Sequence, residues 1–356
     1  MDNSLKKNIY DLDKQALDEF IVDAGFKKFR SKQIWNWLYV NGAKEFKQMK
    51  NISNDLICNL EKSFFISPLR VKKYMKSSDG TIKWLFLLED QKEVETVYIP
   101  EGKRGTICVS SQVGCALACS FCHTGTMKFK RNLNMSEIIG QVISVKNEIK
   151  DWQKRTEERK VTNIVYMGMG EPLLNYKNVI KSINLLSDEE GLAISKRKIT
   201  LSTSGVVPRI NDFKHEKDVN LAISLHAVFD NKRNELVPIN RKWPLSNLFD
   251  SLKKYSIYRD KKRITFEYIM LKDVNDSVED AKELIKLIRN LKAKVNLIPF
   301  NRWPGSKYEV SSNERIEKFQ KYVMEEGKIL ATIRKPRGED ILAACGQLKS
   351  LNLKQI

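Results

Sequence analysis

Between residues 105 and 335 the chain alternates short apolar runs with amphipathic stretches of helical period. Helical patterns such as SVEDAKELIKLIRNL separate most of the strand-like runs, which are GTICVSSQ, NIVYM, KITLSTS, VNLAISLH, ITFEYIML, KVNLIPF and ILATIRK. Such alternation is typical of a parallel sheet, because each helix returns the chain to the start of the next strand. About six or seven strands are fewer than the eight of a closed barrel. The pattern therefore predicts an α/β fold with a partial barrel of the (β/α)6 type.

The amino-terminal part has a different pattern, which predicts a small helical accessory domain. Apolar residues recur there at helical spacing from Leu12 to Leu60. The segment FKKFRSKQ at 26–33 interleaves cations with aromatic rings, which fits RNA binding and a solvated helix face equally well. The runs TIKWLFLLE and EVETVYIP predict an antiparallel meander that leads into the barrel. We therefore divide the chain into a helical domain, a barrel with its leading meander, and a carboxyl-terminal segment, at 1–85, 86–340 and 341–356.

The chain is strongly basic, with 63 Lys and Arg residues against 44 Asp and Glu residues and a formal net charge of +19. This excess favours a polyanionic partner such as RNA, since Lys and Arg displace counterions from phosphates, although a Lys-rich surface also serves solubility alone. No apolar run approaches the roughly 18 residues of a membrane span, and the first residues lack the apolar core of a secretory signal. We therefore expect a cytoplasmic protein without a membrane partner, and a monomer, because coiled-coil heptads and repeats are absent.

Three of the six cysteines fall within eight residues, in the pattern C-x-x-x-C-x-x-C at Cys115, Cys119 and Cys122. This spacing suits a metal or iron–sulfur site, because a short loop can turn three thiolates toward one centre. A structural zinc site with His123 as fourth ligand is the alternative. We favour a 4Fe–4S cluster with one open iron, since His123 directly follows Cys122 and no further cysteine occurs before Cys345.

The other three cysteines, Cys58, Cys108 and Cys345, are isolated in the sequence. A disulfide framework is not expected in a long chain without a secretory signal. Cys58 continues the helical pattern of Leu56 and Leu60, so we interpret it as a packing residue. From the residues alone, Cys108 and Cys345 are most simply read as buried small hydrophobes.

Polar or permissive residues follow five of the predicted barrel strands. GTICVSSQ runs into the three-cysteine loop, and the next strands end at Gly168–Pro172, Ser202–Gly205, Ser224–His226 and Asn301. The carboxyl ends of parallel barrel strands meet at one face, where active sites of such folds lie. Each motif alone also fits a tight turn or a structural residue. Five motifs at the same ends of their strands predict one shared site.

These motifs resemble the radical S-adenosylmethionine (SAM) superfamily, whose three-cysteine loop follows the first barrel strand. Gly168–Pro172 is similar to its Gly-Gly-Glu-Pro motif, with Met169 between the glycines. Further segments narrow the resemblance, namely ETVYIPEGKRGTICVSSQVGCALACSFC, NIVYMGMGEPLLN, LSTSGVVP, SLHA, VPIN and DILAACGQL. From about residue 95 to residue 349 the chain resembles the bacterial adenine-carbon-2 RNA methyltransferases. These enzymes modify 23S ribosomal RNA and often a tRNA adenine.

The resemblance implies a role for each isolated cysteine of the barrel. Carbon 2 of adenine is a poor acceptor for polar methyl transfer, whereas a thiolate is a good one. The family therefore methylates a cysteine first, which matches Cys345, and a SAM-derived radical then activates that methyl group for addition to the adenine. Cys108 matches the resolving thiol, which forms a transient disulfide with Cys345. Glu95 matches the base that takes the carbon-2 proton, although on the residues alone it could be a surface carboxylate.

The resemblance also implies the cofactors and their ligands. A 4Fe–4S cluster would be held by Cys115, Cys119 and Cys122. An electron donor of unknown identity would reduce the cluster. The positions that match SAM contacts are Gly170, Glu171, Ser202, Ser224, Leu225, His226 and Asn301.

Two other functions compete with this interpretation. The related adenine-carbon-8 methyltransferases share the cluster and both catalytic cysteines, but the segments TVYIP and PFNRWPG resemble the carbon-2 group more closely. A non-catalytic RNA-binding protein with a structural zinc site is the alternative from another class. We predict 23S rRNA as the substrate, with tRNA as a second one.

Overall fold

The computed structural model describes residues 6–152, 158–216, 218–259 and 262–349. The last part of the predicted carboxyl-terminal segment, 350–356, lies outside these residues. Three helices form the amino-terminal module: α1 (Lys14–Asp23), α2 (Phe29–Tyr39) and α3 (Asn54–Ser63). Helix α1 begins at Asp13, whose carboxylate accepts a hydrogen bond from the Ala16 amide at 3.0 Å. The predicted helical module is therefore present.

Cys58 corrects one interpretation made from the sequence, because its side chain is exposed. Helix α3 buries Leu56 and Leu60, which are one turn apart on the same face. Cys58 lies midway between them, about 200° around the helix from Leu56, and so points away from the core. The apolar run that contains Cys58 did not distinguish the two faces.

Ten strands form one sheet in the described residues, and each strand lies next to the one that follows it in sequence. The first four form the antiparallel meander and the others are parallel to β4. They are β1 (Arg70–Lys76), β2 (Ile82–Leu87), β3 (Glu93–Glu101), β4 (Arg104–Cys108), β5 (Asn163–Tyr166), β6 (Ile199–Thr203), β7 (Asn220–Ser224), β8 (Ile264–Met270), β9 (Ala293–Pro299) and β10 (Ala331–Ile333). The partial β/α barrel predicted from the alternation is confirmed.

Seven helices accompany the parallel strands in the described residues. They are α4 (Met135–Glu148), α5 (Tyr176–Leu186), α6 (Val207–Phe213), α7 (Asp230–Leu236), α8 (Leu245–Tyr258), α9 (Val278–Ile288) and α10 (Asn313–Glu325). Amphipathic patterns predicted five of them, and the two short helices α6 and α7 were missed. No helix of the described chain combines the length and apolar character needed to cross a membrane.

The first strand of the meander, β1, was also missed, and it lies inside the stretch that the sequence assigns to the helical domain. Its sequence, RVKKYMK, is dominated by exposed side chains, because β1 is the edge strand of the sheet. Charged residues are expected on an exposed edge. In contrast, all seven residues of β8 are buried, and that strand was predicted from its apolar run.

Candidate active site

Two adjoining cavities lie at the carboxyl ends of the parallel strands. The first is lined by the three clustered cysteines and by residues that follow β5, β6 and β7. The second is lined by Cys108 together with residues around β9, β10 and the carboxyl-terminal segment. Cys345 and Arg334 line both cavities. The strand-end motifs predicted to share one site are therefore close together.

The loop after β4 carries the clustered cysteines in a tight backbone path. Ala118 adopts the left-handed region with φ of 54°. A Cβ atom at Gly125 would lie 2.4 Å from the Cys119 carbonyl oxygen, so only glycine fits there. The Leu117 amide donates to Cys115 Sγ at 3.5 Å. This local backbone structure turns all three thiols toward the first cavity.

The three clustered thiols are the residues that would hold the 4Fe–4S cluster expected from the sequence. Burial raises the pKa of Cys115 to about 12 and also raises the pKa values of Cys119 and Cys122. Thiols that coordinate a metal lose their protons whatever their own pKa. No group of three or more His, Cys, Asp or Glu side chains in the described residues is arranged to hold one metal ion. Three thiols that line one cavity would suit a 4Fe–4S cluster with one open iron, whereas a structural zinc site takes four protein ligands.

Glu171 places a carboxylate on the wall of the first cavity. Its Oε1 accepts a hydrogen bond from the Leu173 amide at 3.0 Å, and its Oε2 accepts one from the Ser204 amide at 2.8 Å. Burial raises the pKa of Glu171 to about 7, while these amides act in the opposite direction. An ammonium group in the cavity would favour the charged form further. The residue is therefore suited to hold the amino group of SAM.

Gly170 allows the backbone before Glu171 to pass close to Gln112, which lies shortly after β4. Its φ is 96°, and a Cβ atom there would lie 2.4 Å from Cβ of Gln112. The side chain of Gln112 accepts a hydrogen bond from the Glu171 amide at 2.9 Å. Both restraints fix the position of the Glu171 carboxylate. A side chain at position 170 would displace the loop.

The serines and the histidine predicted as SAM contacts line the same cavity. Ser202 and Ser224 lie on neighbouring strands, with their Oγ atoms 3.3 Å apart. His226 Nδ1 accepts a hydrogen bond from the Ile269 amide at 3.1 Å, so its ring proton lies on Nε2. Burial and the charge of Arg233 lower the pKa of His226 to about 3. His226 is therefore a neutral donor at physiological pH.

Leu225 and Asn301 lie outside this group. Leu225 is fully buried and is absent from the lining of both cavities. Asn301 lines the second cavity, where its Nδ2 donates to the Cys345 carbonyl oxygen at 3.1 Å. Their assignment as SAM contacts stays a prediction. In the structure, Asn301 contacts the segment that carries Cys345.

Cys108 and Cys345 share the second cavity, although 237 positions separate them in sequence. Cys108 is the last residue of β4 and is buried, which raises its pKa to about 12. Cys345 follows a turn that begins at Gly338 and includes Leu342 in the left-handed region, with φ of 52°. Both are free thiols. The fold thus brings together two cysteines that the sequence shows only as isolated.

Glu95 lies on β3 beside this segment and is 3% exposed. Its Oε1 pairs with the Lys83 ammonium at 3.2 Å, and its Oε2 accepts a hydrogen bond from the Lys349 amide at 2.9 Å. Burial raises the pKa of Glu95 to about 7, and the Lys83 charge acts in the opposite direction. Such a carboxylate is suited to exchange a proton near neutral pH.

Comparisons with known proteins agree with this geometry. The profile of the radical SAM superfamily matches residues 109–288, and the profile of the ribosomal RNA large subunit methyltransferase N-terminal domain matches residues 7–66. A protein of Mesorhizobium japonicum named dual-specificity RNA methyltransferase RlmN is 50% identical, over 97% of this chain and 88% of that protein. The protein of the same name from Nitrobacter winogradskyi is 52% identical, over 91% of this chain and 84% of that protein. The chain belongs to the RlmN family.

A solved structure supports the same grouping for the fold. The crystal structure of a radical SAM methyltransferase from Sphaerobacter thermophilus has a TM-score of 0.90 and 40% sequence identity, and covers 96% of this chain and 99% of that one. The family and the fold predicted from the motifs are therefore confirmed. The carbon-8 and zinc alternatives are not favoured, because the curated relatives carry the RlmN name. The individual site residues remain predictions.

Arg233 is a residue of this RlmN-family site that the sequence did not reveal. Its guanidinium is 1% exposed and donates to the carbonyl oxygens of Ser204 at 2.7 Å, Leu225 at 3.0 Å and Ser224 at 3.2 Å. It therefore joins the ends of β6 and β7 beneath the SAM-contact positions. The polar helix α7, DNKRNEL, gave no sign of burial. The VPIN motif was the available signal, because its Asn240 accepts from Arg233 at 2.8 Å.

Proposed function

We propose that this chain methylates carbon 2 of an adenine in 23S rRNA, and of an adenine in the tRNA anticodon loop, through an S-methylated Cys345. The observation that carries the proposal is the position of Cys345 on the wall between two cavities. One cavity is lined by the three proposed cluster ligands and by five of the predicted SAM contacts, and the other by the second thiol, Cys108. A methyl carrier has to face both its donor and its acceptor.

The first cavity is proposed to hold the cofactors. Cys115, Cys119 and Cys122 would ligate a 4Fe–4S cluster, which together with SAM supplies a radical able to remove hydrogen from an S-methyl group. The Glu171 carboxylate would bind the amino group of SAM. Ser202, Ser224 and the Nε2–H of His226 would contact its other polar atoms.

The second cavity is proposed to receive the target adenine. A base has to leave its stack to reach a thiol in such a recess. Cys345 would carry the methyl group to carbon 2 and Glu95 would accept the carbon-2 proton. The Cys108 thiolate would then attack the Cys345 sulfur, and the bond between that sulfur and the transferred carbon would break with its electron pair on the carbon. The carbon would take up a proton to become the methyl group of the released RNA, and the two cysteines would be left as a disulfide. The proximity of Cys108 and Cys345 supports this last step.

The enzyme is proposed to act in the cytoplasm as a monomer, where an electron donor reduces the cluster. The decisive experiment is an anaerobic reaction of the iron-reconstituted protein with SAM and a reductant, on 23S rRNA or tRNA, followed by nucleoside analysis. We expect 2-methyladenosine. A product containing only 8-methyladenosine would reject the proposal, as would a colourless protein with stoichiometric zinc.

A further inference from the structure

The stretch 342–349 of the carboxyl-terminal segment, which carries Cys345, is held at both ends by one buried ion pair. Near its start, the Leu342 carbonyl oxygen accepts a hydrogen bond from Lys83 Nζ at 3.0 Å. Near its end, the Lys349 amide donates to Glu95 Oε2 at 2.9 Å. Lys83 and Glu95 are themselves 3.2 Å apart, with side chains only 8% and 5% exposed. Cys345 lies between these two attachments.

The two charged residues come from neighbouring strands of the meander. Lys83 lies on β2 and Glu95 on β3, and the register pairs Lys83 with Val97 and Leu85 with Glu95. Paired residues of an antiparallel sheet share a face, so Lys83 and Glu95 are diagonal neighbours on one face. Val97 pairs in turn with Cys108. The ion pair and the predicted resolving cysteine therefore lie on the same face of the sheet.

Burial makes this pair expensive to maintain, because desolvation of two charges offsets most of their attraction. An apolar pair would hold the strands together as well. A buried pair at this position is therefore better explained by a function than by stability. We infer that Lys83 is a positioning residue of the methyl-transfer site, which keeps Glu95 ionised as a proton acceptor and fixes the segment that carries Cys345. The inference rests on the proposed function.

The charges around Glu95 act on its pKa in opposite directions. Lys83 faces the carboxylate from β2 and lowers the pKa, whereas Glu93, which lies on β3 with Glu95, raises it. The proton-transfer step breaks the C–H bond at carbon 2, moves the proton to a Glu95 oxygen and leaves the electron pair on the RNA adduct. It therefore requires ionised Glu95.

Lys83→Met tests the inference in the full-length holoenzyme, with RNA methylation measured under single-turnover conditions across pH. Removing the cation raises the pKa of Glu95, so the acid limb of the rate profile should move upward by about 1 to 3 pH units. Activity lost at neutral pH should return in alkaline buffer. Lys83→Arg retains the charge and should keep the acid limb of the wild type. A deuterium isotope effect at carbon 2 should increase in Lys83→Met at neutral pH.

Lys146→Met is the matched control, because Lys146 is also a buried lysine, 3.0 Å from Asp151, but lies on α4. It should change stability without moving the acid limb. If Lys83→Met does not fold, Lys83→Gln carries the same test. A rate that falls equally at every pH in the neutral variants would overturn the inference. Wild-type protein that makes no methyladenosine would instead refute the proposed function.

Discussion

Two buried carboxylates, Glu95 and Glu171, have pKa values raised to about 7 in different surroundings. Glu95 faces a lysine that stabilises its charge. Glu171 has two backbone amides and no cation within ion-pair distance in the described residues. The first arrangement suits a proton acceptor, whereas the second leaves a place for a positively charged ligand group. The same residue type is therefore proposed to serve two roles, because its partners differ.

Glu171→Gln should weaken SAM binding. The variant loses the charge that would pair with the SAM amino group, and a hydrogen bond to a charged group contributes about 1.5 to 3 kcal/mol. We expect the dissociation constant for SAM to rise by roughly 10- to 100-fold, measured by calorimetry on the reconstituted protein. Glu309→Gln changes an exposed carboxylate and serves as the control. Equal affinities in both variants would rule out this role.

Substitution of the two catalytic cysteines should give different products. Cys345→Ala cannot carry a methyl group and should show no turnover. Cys108→Ala should still accept the methyl group at Cys345 and should accumulate a covalent protein–RNA adduct, because the thiol that resolves it is absent. Denaturing electrophoresis with labelled RNA detects the adduct. The exposed Cys58 supplies the control, Cys58→Ser, which should behave as wild type. Normal turnover by Cys108→Ala without an adduct would contradict the assignment.

At the scale of elements, Arg233 of α7 connects the carboxyl ends of β6 and β7. Arg233→Met would remove a donor from three oxygens, which are the Ser204 and Ser224 carbonyl oxygens and Oδ1 of Asn240. The Leu225 carbonyl oxygen would keep the Ala227 amide as a donor at 2.8 Å. Each unsatisfied group costs about 1 to 3 kcal/mol. We expect the free energy of unfolding to fall by about 3 kcal/mol or more, measured by denaturant unfolding, together with weaker SAM binding. Arg209→Met removes an exposed guanidinium from α6 and should change little. An unchanged stability in Arg233→Met would show that the buried network contributes nothing.

The elements that the sequence predicts are those whose apolar pattern matches their burial. Strand β8 is buried throughout, and its apolar run predicts a strand. The edge strand β1 carries mostly exposed charged and polar residues, so its sequence does not predict one. The strand-end motifs predict which loops meet, because parallel strands share one carboxyl edge. The contacts of Lys83 and Arg233 depend on which side chains the tertiary fold brings together. No local pattern in the sequence indicates the contacts of Lys83, and the VPIN motif was the one signal for those of Arg233.

At the scale of the whole molecule, the proposed function requires the net charge of +19 to act where RNA would approach the second cavity. The exposed edge strand β1 is one such place. Lys73 pairs with Leu85, and Leu85 pairs with Glu95, so Lys73 lies on the same face of the sheet as the predicted base. Tyr74 is 63% exposed but lies on the opposite face of the sheet, since it pairs with Trp84. The exposed Lys73 is therefore the group of this edge that would meet an RNA strand.

RNA affinity should therefore fall steeply with salt, and Lys73→Glu should reduce that dependence. Each phosphate contact that is lost lowers the slope of log affinity against log salt by about 0.7 to 0.9, which filter binding at several salt concentrations measures. The exposed Lys198 precedes β6, at the amino end of the parallel strands and opposite the cavities, so Lys198→Glu makes the same charge change away from the site. Equal slopes for both variants would place the RNA elsewhere, and a flat salt dependence in the wild type would contradict an electrostatic role for the basic surface.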